Sequence, residues 1–388
     1  MIEDILIKHV AELTAIRRDI HAHPEMLFQE VRTAAIVAQE LTRLGFQVAT
    51  GIAKTGVVGT LTNGASRRAI GIRADMDALP IHETTNLPYA SKIPGKMHAC
   101  GHDGHTAMLL GLARYLSETR QFDGTVHLIF QPSEEDEGGA LRMIEDGLFK
   151  RFPCDAVFAL HNLPGEELGQ ILVRPGPITA AVDIASITIR GVGGHGAIPH
   201  KAVDPVVAAA SLVMALQSIV SRNLDPLEPA VITVGAFNAG SMATVIPEDA
   251  RMLVGIRTTT GPVRDMILQR IAELARFHAK SFGCESEVSL GDASWSYPAG
   301  ANTEPEAALV RELAIAMGQD PAKIDMRGPF MFAEDFAYMQ QVVPSCYFGL
   351  GAGPGPMLHD PGYNFNDALL IAGPAFWARL VEKALPQA

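Results

Sequence analysis

The segment DIASITIR, Asp183 to Arg190, alternates with a period of two, placing Ala185, Ile187 and Ile189 on one face. That is the pattern of a half-buried strand. A helical run over Pro205 to Val220 follows it. Then come two strands, AVITVGAF (Ala230 to Phe237) and ARMLVGIRT (Ala250 to Thr258), a helix over Val263 to Lys280 and the strand ESEVSL (Glu285 to Leu290). The order β-α-β-β-α-β predicts a ferredoxin-like sandwich. SWSYPAG, Ser294 to Gly300, reads as its exit loop.

Upstream of Asp183 the texture is different. TGVVGTL (Thr55 to Leu61), RAIGIRA (Arg68 to Ala74), TVHLIF (Thr125 to Phe130) and DAVFAL (Asp155 to Leu160) are short apolar, β-branched runs. Helical periods lie between them at Arg32 to Leu44, Thr106 to Leu116 and Gly138 to Glu145. Such alternation predicts an α/β layer on a mainly parallel sheet. The same texture returns after the exit loop, with a helix over Glu304 to Met317, the strand SCYFGL (Ser345 to Leu350) and a helix over Ala368 to Lys383. The expected architecture is a discontinuous α/β domain, residues 1–182 and 293–388, interrupted by an α+β domain at 183–292.

At 388 residues the chain suits two cores. A hydrophobic content of 48% with 19% charged residues marks a globular protein. The net charge of −12 excludes a nucleic-acid partner, because phosphates call for a basic face. MIEDILIKHVAEL at the start is acidic where an export signal would be basic, and reads as an amphipathic helix. The longest apolar run, Val206 to Leu216, is short for a bilayer, so no membrane partner is expected. Cys100, Cys154, Cys284 and Cys346 have no paired spacing, which fits reduced thiols in the cytoplasm.

Acids and histidines gather where packing does not ask for them. Asp75 and Asp77 follow the strand RAIGIRA, Glu134 and Glu135 follow HLIFQP, and His161 follows DAVFAL. Cys100 stands among His98, His102, Asp103 and His105, and His359 lies in LHDPGYNFND. Each has a plain structural reading: Asp103 as a helix cap, Glu134 to Glu137 as a solvated helix start, Cys100 as a small hydrophobe. Their joint placement at strand ends favours chemistry, since α/β sites sit at the carboxyl ends of strands. Mixed imidazole and carboxylate donors suit a pair of cations, and a thiolate can bridge them.

These motifs resemble the metal-dependent aminoacylase and carboxypeptidase superfamily. The nearest branch is that of hippurate hydrolases, indole-acetyl-amino-acid hydrolases and N-acyl-amino-acid amidohydrolases. RRDIHAHPE (Arg17 to Glu25), GIRADMDALPIHE, MHACGHDGHTAML, IFQPSEED, LHNLP, GVGGHGAIPH, FAEDFAYM and LHDPGYNFND carry the likeness in order along the chain. The resemblance implies a catalytic α/β domain, a ferredoxin-like lid that also dimerises, and two divalent ions per subunit (zinc, manganese, cobalt or nickel). Carried over by position, the metal ligands are Cys100, His102, Glu135, His161 and His359, and Glu134 is the general base. His195 becomes the oxyanion donor, reaching into the partner subunit of a homodimer or homotetramer. Arg257 grips the substrate carboxylate, and Asp77 orients a histidine. Asp75 stands where other branches have a ligating histidine, so its role is open. Thr244 stands where the branch commonly has asparagine, and Asn238 is the residue expected to compensate. Glu334 and Asp335 divide between function and helix capping, while HAHPE has no assigned chemistry. The implied reaction is hydrolysis of an N-acyl amino acid. Dipeptide or C-terminal peptide cleavage and N-acetyl-diamino-acid deacetylation are alternatives with the same machinery. A non-catalytic metal scaffold is disfavoured, because it has no use for a base.

Overall fold

The computed structural model describes residues 2–290 and 296–387. The 292/293 domain boundary and the first two residues of the exit loop lie outside the described residues. The strands that build the two large sheets are β1 Gln47–Ile52, β2 Gly56–Asn63, β3 Ala69–Asp75, β4 Gly124–Gln131, β5 Ala156–Leu163, β6 Ile171–Leu172, β7 Ala181–Arg190, β8 Ala230–Ala239, β9 Asp249–Thr258, β10 Glu285–Leu290 and β11 Ser345–Gly351. The principal helices are α1 Ile2–Ala22, α2 Val31–Arg43, α3 His102–Thr119, α4 Gly139–Glu145, α5 Pro205–Ser218, α6 Gly261–Ser281, α7 Glu304–Ala316, α8 Phe336–Gln340 and α9 Leu369–Ala384.

The chain divides into two compact units: residues 1–178, 301–328 and 335–388 form the first, and 179–300 with 329–334 the second. The first holds a seven-stranded sheet in the order β1-β2-β4-β3-β5-β11-β6. Its centre, β4-β3-β5-β11, is parallel, and the flanking strands are antiparallel. Periodicity does not mark β1, which pairs with β2 in a hairpin and carries a register shift between Thr50 and Ile52. A short turn can close an antiparallel pair, whereas the parallel centre needs helical crossovers.

Helix α3 is buried along most of its length, including Leu109, Leu112 and Leu116. It packs between α1 and α9 and over the sheet. Gly101, with φ +95°, turns the chain into it. A Cβ at that position would lie 2.5 Å from Asn162 Oδ1, so the turn requires glycine. Glu25 of HAHPE caps α2, accepting the Arg32 N–H at 2.9 Å and the Thr33 N–H at 2.8 Å.

The second unit is the expected ferredoxin-like sandwich. Its antiparallel sheet runs in the order β8-β9-β7-β10, with α5 and α6 packed together. The alternation seen at Asp183 is realised in β7, where Ala185, Ile187 and Ile189 are buried. Asp204 caps α5 by accepting the Val206 N–H at 2.8 Å, with Pro205 in the first turn. A wide turn extends this helix to Asn223, making 19 residues long and apolar enough for a bilayer by length and composition. That corrects the shorter run expected from sequence. Ala208, Ala209, Leu212 and Leu216 are buried within the unit's own apolar core.

Candidate metal centre

The carboxyl ends of the parallel strands in the first unit carry the expected donors. β3 ends at Asp75, β4 leads into Glu134 and Glu135, β5 carries His161, and β11 leads towards His359. His102 opens α3. Cys100 Sγ lies 3.3 Å from His161 Nε2, and His359 Nε2 lies 3.3 Å from Glu135 Oε1. His102 Nε2 is 3.9 Å from the same Glu135 oxygen. Three overlapping groups have donor atoms within 4.8 Å of one another: Cys100 with His102 and His161, Cys100 with Glu135 and His359, and His102 with Glu134 and Glu135.

The imidazoles are oriented from behind. His161 Nδ1 donates to the Asn162 carbonyl at 2.8 Å, and His102 Nδ1 donates to Asp77 Oδ1 at 3.1 Å. In the neutral form of each ring this leaves the Nε2 lone pair facing the cluster, the arrangement that metal-binding histidines adopt. Among the described residues, His102 Nε2 and Glu135 Oε1 are buried with no hydrogen-bond partner. Buried polar atoms are rarely left so, and here both point into a nest of acids, imidazoles and one thiol. This donor set fits divalent cations. Burial, followed by Glu135 and Glu134, pushes the Cys100 thiol well up. Burial pulls His102 down, but Asp75 and Asp77 outweigh it and push the ring up to about 10. Burial and His105 hold His161 well below the ordinary range.

Asp75 is otherwise engaged. Its Oδ1 meets His105 Nδ1 at 2.6 Å and its Oδ2 accepts Arg73 Nη1 at 2.7 Å. The other His105 nitrogen meets Asn162 Oδ1 at 2.6 Å. Asp75, His102 and His105 form a further group with donor atoms within 4.8 Å of one another. Asp77 serves two neighbours, since its Oδ2 also accepts the Glu135 N–H at 2.9 Å.

Asp335, which the sequence left between function and helix capping, is a hub. The Asp335 carboxylate accepts Arg73 Nη2 at 3.2 Å, Gln131 Nε2 at 2.8 Å and the Ala140 N–H at 2.8 Å. Its own N–H donates to Glu134 Oε1 at 3.3 Å. Asp335 thus ties β3, β4 and α4 together beside the Glu134 carboxylate, more than the helix cap that its place before α8 suggests. The FAEDFAYM motif was the available signal.

HAHPE also acquires a role. His21 Nδ1 lies 2.9 Å from Asp103 Oδ2, and its Nε2 lies 3.4 Å from Glu83 Oε1. Arg17 Nη1 reaches the same Asp103 oxygen at 3.3 Å. Burial opposes a charge on His21, yet Asp103 and Glu83 push it up to about 9. Its folded value therefore exceeds the unfolded value of 6.5. The resulting stabilisation is complete below that pH and is lost as pH rises towards about 9, on the order of 3 kcal/mol in total. Thermal unfolding scans between pH 6 and 9.5 should show this decline in the wild type, and His21→Phe should lack that component while being less stable at pH 6.

His195, Asn238 and Arg257 belong to the second unit. His195 is exposed and pairs with Val245; its Nδ1 accepts the Ala197 N–H at 3.0 Å, which leaves the ring proton on Nε2. Thr244 lies beside it, its carbonyl accepting the Gly196 N–H at 2.8 Å. Asn238 is exposed on β8 opposite Arg251, and Arg257 is half-buried on β9 opposite Val182.

The fold and the donor cluster define a metal-centred α/β hydrolase with an inserted α+β domain. The model of Peptidase family M20/M25/M40 matches residues 71–383, and the chain belongs to that family. It is 41% identical to the hippurate hydrolase of Campylobacter jejuni, over 96% of this chain and 97% of that one. It is 38% identical to an N-acetyl-L-cysteine deacetylase of Bacillus subtilis, over 94% of this chain and 86% of the relative. Among solved structures, a dinuclear metal-binding peptidase of the M20 family from Bacillus subtilis superposes with a TM-score of 0.84 at 31% identity. That match covers 98% of this chain and 100% of the other.

Proposed function

We propose that Cys100, His102, Glu135, His161 and His359 would hold two divalent ions, and that Glu134 is the base for hydrolysis of N-acyl amino acids. The convergence of these donors around two orphaned buried atoms carries the reading. The hippurate and N-acetylcysteine activities of the relatives support the substrate class. Bound ions would acidify a water and polarise the amide carbonyl. Glu134, steadied by the Asp335 N–H, accepts the proton that the attacking water loses and returns it to the leaving amine. The products are a carboxylic acid and an amino acid.

His195 donates from Nε2 to the tetrahedral oxyanion, and the Arg257 guanidinium, which has the planar fork for the task, grips the substrate carboxylate. Within one chain these two lie at opposite ends of the second unit's sheet. Asp249 is the first residue of β9 and Arg257 the last but one, about 26 Å apart at ~3.3 Å per residue, and His195 lies beyond the Arg190 end paired with Asp249. One substrate cannot meet both from a single lid, so the reading is a homodimer or higher oligomer in which His195 serves the partner's site. In this scheme residues 1–182 and 293–388 are catalytic, and 183–292 form the lid and dimerisation domain. Four free cysteines favour a reducing cytoplasm.

A screen of metal-reconstituted protein against N-benzoyl- and N-acetyl-amino acids, dipeptides and N-acetyl-diamino acids tests this. Metal-dependent turnover should be strongest on the N-acyl amino acids. Preference for dipeptides would move the reading to a peptidase, and no turnover on any of them would leave a scaffold.

A further inference from the structure

Glu30 is a buried carboxylate that the chemistry above does not use. It is 0% exposed, and among the described residues no cation lies at ion-pair distance from it. Its Oε1 accepts the Phe28 N–H at 3.1 Å and the Ser133 N–H at 3.2 Å, and its Oε2 accepts the Thr55 hydroxyl at 2.6 Å. Burial, with Asp77 nearby, pushes its carboxyl up to about 7. An acid buried without a cation is costly to keep.

The backbone around it is costly as well. Nine non-glycine residues among those described have a positive φ. Five of them, Leu27, Phe28, Ala53, Lys54 and Ser133, belong to the three segments that meet at this carboxylate. Such strain survives where the surroundings over-determine it, and it collects at working sites.

The place where the three segments meet is the turn that presents the catalytic pair. Pro132 follows β4, Ser133 turns the chain at φ 51°, and Glu134 and Glu135 come next. Beyond them, Asp77 accepts the Glu135 N–H. The N–H groups on either side of Glu134 are thus held by two buried acids.

We propose that Glu30 is a positioning residue for catalysis: by holding the Ser133 N–H it fixes the turn from which Glu134 and Glu135 point to their separate tasks. This rests on the base and ligand roles proposed above. It predicts that geometry, rather than charge, is what Glu30 supplies. Glu30→Gln preserves each contact, because the amide oxygen can take both N–H groups while the amide nitrogen donates to the Thr55 hydroxyl. Glu30→Asp preserves the charge but is one methylene short. Glutamine should keep kcat within about threefold of wild type, whereas aspartate should lower it at least about tenfold with KM little changed.

Hydrogen–deuterium exchange over residues 131–137 gives a readout independent of turnover: slow in wild type and Glu30→Gln, fast in Glu30→Asp. Thr55→Val loosens the same carboxylate without altering it, and should shift kcat and exchange in the aspartate direction; it also stands in if Glu30→Asp fails to fold. An active aspartate variant beside an inactive glutamine variant would overturn the proposal, as would wild-type kcat and exchange in both Glu30→Asp and Thr55→Val. Wild-type protein inactive on every N-acyl amino acid would instead overturn the functional reading, while the exchange data would still report whether Glu30 holds the turn.

Discussion

Glu134→Gln should lower kcat about a thousandfold while the protein keeps its full metal content. Glutamine has the same shape, and its amide oxygen can still accept the Asp335 N–H that Glu134 Oε1 receives at 3.3 Å. What it loses is the ability to take a proton. The neighbouring Glu135→Gln should behave differently. Glu135 Oε1 is a buried atom without a hydrogen-bond partner among the described residues, 3.3 Å from His359 Nε2, so weakening it as a donor should lower metal occupancy first and turnover as a consequence. Metal analysis beside steady-state kinetics separates the two residues. Exchanged phenotypes would mean that the base and the ligand have been assigned the wrong way round. A Glu134→Gln enzyme within tenfold of wild type would remove general-base catalysis by this residue altogether.

The difference between those two glutamates was not legible in their sequence spacing. QPSEE places both beyond an apolar strand, and only the family likeness divided their roles. Other parts were readable because they depend on local rules. The period of two at Asp183 and the helical runs, including the one that opens at Pro205, follow from local geometry, and they yield the ferredoxin-like unit in the right order. The acids at the ends of β3 and β4 stood out because carboxylates after buried strands need a reason.

The supporting residues were hidden because their meaning lies in contacts distant along the chain. Arg73 meets Asp335 across 262 positions, and Ser133 meets Glu30 across 103. No window of sequence contains both partners. Glu30 in particular looks like an ordinary acid ahead of an amphipathic helix, and its burial becomes visible only when three turns close on it.

Removing the ions should abolish turnover, and restoring them should release protons. Chelator-treated protein is expected to fall to background on N-acyl amino acids and to recover on adding zinc, manganese, cobalt or nickel. The more diagnostic quantity is the pH dependence of that recovery. Without cations, burial and then Glu135 and Glu134 keep the Cys100 thiol protonated. Burial favours a neutral His102, but Asp75 and Asp77 prevail and push it up to about 10, so it carries a proton at neutral pH. Each must lose a proton to ligate, because a thiolate and a neutral imidazole are the binding forms. Apparent affinity should therefore climb as pH rises from 6 to 9, with up to about two protons released per chain. Isothermal titration in buffers of different ionisation enthalpy measures that number directly. Cys100→Ser should reduce proton release, since a serine hydroxyl is a far weaker acid, and His102→Asn should remove the histidine's share. Affinity that does not change with pH in the wild type would mean that neither Cys100 nor His102 is a ligand, and that the ions, if bound, sit elsewhere.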